Sequence, residues 1–189
     1  MRATQFHNAY LVVETSDGLT IIDQHALHER ILYEELRQRI AERRLASQRL
    51  LIPQVVRVAP DRLEALETHA ETLARLGIEL AAAGPHSVAL HAFPALLERI
   101  AERETFVRDL LDLLAEHGAR PAADTLIHAL LDMMACKAAV KAGDPLTPDE
   151  IAALLARREL AERSSHCPHG RPTTLHLTLR DLERQFRRR

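Results

Sequence analysis

Asp23, His25 and Glu29 crowd two carboxylates and an imidazole into the point where an aliphatic run gives way to helical spacing. His25 and Glu29 are four apart, so on a helix both side chains project from one face and can grip a single ion. Far downstream, Cys167-Pro168-His169 sets a thiol and an imidazole two apart, on the same side of an extended segment. One thiolate, two imidazoles and one carboxylate make a chemically sound four-ligand set for Zn²⁺. Asp23, just ahead of the helix, offers a hard oxygen to a second ion or to a water, which is the arrangement of a hydrolytic centre. The plain alternatives are a structural zinc, or no metal at all: a solvated helix face and a buried turn.

Such side chains need a rigid junction to hold them. Residues 6–15 alternate and are rich in β-formers, Ser16-Asp17-Gly18 is a turn, and residues 19–23 return as a second strand, which predicts a hairpin. A helix follows, with Ala26, Ile31, Leu32, Leu36 and Ile40 on its apolar side and an Arg-rich end near Arg44. At about 100° per residue, Glu34 lies about 140° round that helix from Glu29, away from His25, which gives it a structural or supporting role. Residues 52–58 read as a strand, 61–76 as a helix closed by Gly77, 78–83 and 87–93 as strands around Gly84-Pro85, and 98–117 as helical. This stretch is an αβ insertion without a catalytic cluster. Its histidines, His69, His86, His91, His117 and His128, show no partnered spacing and read as surface or satisfied core residues.

Residues 124–142 form a helix apolar on more than one side, to be buried in its own core or against another subunit. Cys136 on it reads as a small core residue. Thr147-Pro148-Asp149-Glu150 carries a capping box with proline at the first helical position. Residues 173–179 alternate, with Leu175, Leu177 and Leu179 expected inward, as a strand that carries the Cys167 loop back onto the first sheet. The expected fold is α+β in two lobes. Residues 1–50 and 131–189 build a sheet-plus-helices lobe from both chain ends, and residues 51–130 an inserted αβ lobe, with hinges near 46–54 and 118–135.

Composition bounds the rest. In 189 residues, 47% are apolar but only 3% aromatic, which favours helices on a modest sheet. Two cysteines provide no disulfide framework, so a reducing, cytoplasmic setting is expected. No apolar run approaches a membrane span and no signal peptide precedes the first strand, so no membrane partner is expected. Met1-Arg2-Ala3 leads straight into a strand, as in a domain excised from a longer protein. A net charge of −2 does not suit an autonomous DNA binder; the arginines near the C-terminus, among them Arg184 and Arg187, read as a solvated end. Affinity for duplex DNA is expected to be weak, with recruitment supplying local concentration.

The string Asp-Gln-His-Ala, two residues, Glu, four residues, Glu resembles the endonuclease signature in the C-terminal domains of the MutL mismatch-repair family. Ala135-Cys136-Lys137, the Cys167 to Pro172 segment and Phe186-Arg187-Arg188 match further motifs of that family in its order. The resemblance implies a homodimeric domain that nicks one strand of duplex DNA, with an inserted regulatory lobe. It implies His25, Glu29, Cys167 and His169 as metal ligands, Asp23 as the essential acidic residue, and Cys136 close to the metal. Zn²⁺ would then tune or support the site while Mn²⁺ or Mg²⁺ does the chemistry, and Arg171 would contact phosphate or hold its loop. Gln48, Leu51, Ile52 and Pro53 resemble the peptide with which the family docks on the polymerase sliding clamp; read alone they are the start of a strand. MutS and the ATPase region of the same polypeptide are further partners by resemblance, as is association with the nucleoid during repair. The runner-up reading is a dimerisation and clamp-docking module whose zinc is structural.

Overall fold

Strand alternation near the N-terminus builds the first sheet, in a computed structural model that describes residues 2–97, 100, 102–118, 123–158 and 173–187. The fold divides into two compact units, Met1–Glu34 with Ala139–Arg189, and Glu35–Ala138. The expected boundaries lay at 50/51 and 130/131; the observed ones fall inside the first helix and just after the fifth.

In the first unit, β1 (Ala3–Phe6), β2 (Tyr10–Thr15), β3 (Gly18–Asp23) and β7 (Thr174–Thr178) form an antiparallel sheet in the order β1-β2-β3-β7. The single strand predicted over 6–15 is thus two. His7 and Asn8 both take left-handed φ, 52° and 49°, and Ala9 N–H closes the turn on the Phe6 carbonyl at 3.1 Å. Helix α1 (Gln24–Glu42) begins the moment β3 ends. Leu11, Val13 and Ile22 on one sheet face pack against Leu27 and Ile31 of α1 and Ile151 and Leu154 of α6 (Pro148–Ala156). Each such side chain contributes about 1.5–3 kcal/mol by leaving water. The capping box of α6 forms as the sequence predicts, with Thr147 Oγ1 accepting from Glu150 N–H and the Glu150 carboxylate from Thr147 N–H.

β7 corrects a second expectation. Its register pairs Leu175 with Ile21 and Leu177 with Leu19, which turns these leucines to the face opposite Leu11, Val13 and Ile22. Leu175 is 55% exposed, as is Leu179 to a similar degree where it opens α7 (Leu179–Gln185). With Phe6 and Tyr10 they make the outer face of this sheet apolar. Gly18 stands where β7 crosses β3 because a Cβ there would meet the Leu177 carbonyl oxygen at 2.1 Å.

In the second unit, β4 (Ser47–Arg57), β5 (Glu79–Gly84) and β6 (Ser87–Pro94) form an antiparallel sheet ordered β4-β6-β5. Helices α2 (Pro60–Thr68), α3 (Ala70–Arg75), α4 (Arg103–His117) and α5 (Ala123–Ala138) accompany it. Phe93 and Phe106 meet edge to face at 5.1 Å in its core. The helix predicted over 61–76 breaks at His69, a buried imidazole whose Nε2 bonds the Gly118 carbonyl at 3.0 Å. The predicted 98–117 helix starts at Arg103, and residues 98, 99 and 101 lie outside the described set. The helix predicted to reach residue 142 stops at Ala138. Its continuation is forestalled because both backbone groups of Val140 bond imidazoles of α1 instead.

Candidate metal centre

Asp23, the last residue of β3, caps α1: its Oδ1 accepts the Ala26 N–H at 3.0 Å, while its own N–H donates to the Thr173 carbonyl at 3.0 Å. Aspartate is favoured at a helix N-cap for this reason, since the first turn leaves backbone donors without partners. The cap fixes the direction in which α1 leaves the sheet, and with it the positions of His25 and Glu29.

Gln24 is fully buried, a role that sequence reading missed. Its amide nitrogen donates to the carbonyls of Asn8 at 2.7 Å, Lys141 at 3.1 Å and Asp144 at 3.2 Å, and its Oε1 accepts from Gln5 Nε2 at 2.6 Å. Gln5 in turn donates to the Asp144 carbonyl and accepts from Leu146 N–H. A glutamine is one of few side chains that can donate and accept at once in a dry place. It ties the turn before β2 and the loop after α5 to the first residue of α1.

His25 points Nδ1 at the Val140 carbonyl, 2.9 Å away. A carbonyl only accepts, so Nδ1 carries the proton and Nε2 faces Glu29 Oε2 at 3.4 Å. Glu29 is 3% exposed. Two electron-rich atoms this close, one of them on a nearly dry carboxylate, suit a cation between them, which a metal ion would supply. Zinc bonds of about 2.0–2.2 Å meeting at a tetrahedral angle span about 3.4 Å between donor atoms, so the pair has the bite that zinc takes. The donor set and its spacing fit the ion.

Glu34 and Cys136 are further candidates among the described residues. Glu34 closes an ion pair with Arg30 one turn back, and the Arg30 guanidinium lies 5.3 Å from the Tyr33 ring centre. Cys136 sits near the end of α5 in the second unit, half-buried with a free thiol. Cys167, His169 and Arg171 lie outside the described residues. Phe186 follows α7 and is 73% exposed.

Gln48 to Pro53 belong to β4. Pairing with β6 holds at Gln48 and Arg49, then lapses until Gln54, so residues 50–53 bulge from the sheet. Leu51 and Ile52 are almost wholly in solvent, at 104% and 83%. Read alone, Gln48 to Pro53 are the start of a strand, and β4 does begin at Ser47; what the pattern did not show is that its apolar tip is exposed.

Among the described residues no helix is long and apolar enough to cross a membrane. The architecture, two antiparallel sheets with seven α-helices described and one sheet face left apolar, is that of an α+β association domain. A family model described as the MutL C terminal dimerisation domain matches residues 3–146, and the chain belongs to that family. It is 41% identical over 185 residues to the DNA mismatch repair protein MutL of Brucella abortus (strain S19), and 42% identical over the same length to that of Phenylobacterium zucineum (strain HLK1). In each case the alignment covers 98% of this chain and 30% of the relative, so the chain spans about a third of the length of the curated relatives it matches.

Proposed function

We propose that this domain is the metal-dependent nicking endonuclease of a homodimeric mismatch-repair protein, cutting one strand of duplex DNA. The observation that carries the reading is the His25 Nε2 to Glu29 Oε2 pair, 3.4 Å apart on a helix whose first turn is capped by Asp23. His25, Glu29, Cys167 and His169 are the proposed ligands of Zn²⁺, with Mn²⁺ or Mg²⁺ as the second ion. Bound metal supplies Lewis-acid polarisation of the phosphodiester and a bound water of lowered pKa. His25 presents its lone pair because Val140 holds the other nitrogen's proton. Glu29, buried, keeps bulk water from its side of the site. Asp23 orients the attacking water with a carboxylate oriented by its own cap bond.

The exposed sheet face formed by Phe6, Tyr10, Leu175 and Leu179 is the proposed contact with the second copy, in keeping with a family named for dimerisation. The bulged Gln48-to-Pro53 segment is the proposed docking peptide for the sliding clamp: Leu51 and Ile52 enter an apolar pocket while the Gln48 amide fixes register. MutS and an ATPase region of the same polypeptide would bring the domain to DNA, in keeping with a net charge of −2 that gives it little attraction of its own for phosphates.

A second reading, a dimerisation and clamp-docking module with a structural zinc, is favoured by one fact: Asp23 already serves as a helix cap. Asp23→Asn separates the two, because asparagine caps a helix as well as aspartate does but carries no charge. Under the endonuclease reading, Mn²⁺-dependent nicking of supercoiled plasmid falls on the order of a hundredfold or more while the melting temperature and zinc content hold. Unchanged nicking at unchanged stability leaves the structural-zinc module standing.

A further inference from the structure

Val140 is gripped from both sides by two imidazoles of one helix. Its carbonyl accepts from His25 Nδ1 at 2.9 Å, and its N–H donates to His28 Nδ1 at 3.0 Å. His25 and His28 are three apart on α1 and so share a face. Their chemistry is opposite. An acceptor carbonyl leaves His25 protonated at Nδ1, whereas a donor N–H requires His28 to be unprotonated at Nδ1 and to carry its proton on Nε2.

From this we infer that His28 is a positioning residue for the metal site: through the backbone of Val140 it holds His25 in the one tautomer that turns a lone pair toward Glu29. The inference rests on the metal-site reading for its consequence, but not for its geometry. His28 falls between the acidic and imidazole residues of the motif and is not itself a candidate ligand, since the nitrogen on this side is taken by the backbone. Its contribution is to fix where the Val140 carbonyl stands. Gln24 ties the loop at the Lys141 carbonyl one residue on, and His28 pins the Val140 N–H itself, so the peptide units on both sides of Val140 are held against α1. Groups that orient a ligand histidine in this way typically change metal affinity by about ten- to a hundredfold when removed.

The test uses His28→Leu, which removes the acceptor, and His28→Asn, whose side-chain oxygen can take the place of Nδ1. Two readouts are needed besides activity. In the metal-free protein near neutral pH, ¹⁵N NMR of the imidazoles reports the His25 tautomer. Competition with a chromophoric chelator reports Zn²⁺ affinity. The expected result is an Nδ1–H pattern for His25 in the parent, a tautomer mixture in His28→Leu with about tenfold weaker zinc binding, and recovery of both in His28→Asn. An unchanged tautomer and unchanged affinity in folded His28→Leu overturn the inference. So does a folded His28→Asn that loses both as fully as a leucine would, which keeps the question answerable if the leucine variant does not fold. A parent protein that binds no zinc sinks the metal reading instead, while the NMR result still decides the role of His28.

Discussion

At the scale of single residues, the helix start is held by polar side chains that have little to do with surface charge. Gln24 is the clearest: four hydrogen bonds converge on one buried amide. Gln24→Ala takes the donor from the Asn8 and Lys141 carbonyls while Gln5 still donates to Asp144, and stability measured by urea unfolding is expected to fall by about 1–2 kcal/mol. A loss below about 0.5 kcal/mol would mean that water replaces the amide without cost. The motif itself was legible because its carboxylates and imidazole sit at ligand spacing in a short stretch, and their spacing survives as a 3.4 Å contact. Gln24 and His28 were not legible, because Lys141, Asp144 and Val140 are more than a hundred positions away from them and no local period marks the pairing. Glu34 pairs with Arg30 one turn back on the same helix.

At the scale of elements, β7 is joined to β3 through a polar chain as well as through its ladder. His176 bonds Asp17 Oδ2 at 3.2 Å and Thr20 Oγ1 at 3.1 Å, and Leu179 N–H donates to the Asp17 carbonyl at 2.7 Å. The Thr15 hydroxyl, and after it His176, hold the Asp17 carboxyl below the usual 3.8. A carboxyl lowered on folding stabilises the fold above its unfolded value and ceases to do so as pH falls through the folded one. Asp17→Asn should therefore unfold at lower urea than the parent near neutral pH, with the gap closing below about pH 3.8. A gap that persists in acid would point to packing rather than charge. Capping chemistry read true from the sequence at Thr147, where the box is local. Strand limits read poorly at His7 and Asn8, since neither residue announces a left-handed turn as glycine would. The orientation of β7 was misread for another reason: alternation shows that one side is apolar, and only the register with Ile21 shows which side that is.

At the scale of the whole molecule, the leucines that were expected inside and lie outside supply the association surface proposed above. Ile21 and Leu177 are central to that face, half-buried beside the more exposed Leu175. Ile21→Glu puts a charge in the middle of an apolar contact, and light scattering behind a sizing column is expected to show a monomer where the parent is a dimer. A variant that stays dimeric moves the contact elsewhere. The mixture of helices and sheets was open to sequence reasoning because each element carries its own period, whereas which faces meet a partner is decided by register and is not written in any one segment. The Gln24 tie has one more consequence. Asn8 ahead of the helix and Lys141 and Asp144 behind the long excursion are knotted to the same amide, so the reactive pair is secured by chain that lies wholly before and after that excursion. Descent can then lengthen or trim loops within the middle hundred or so residues while the start of the first helix stays anchored.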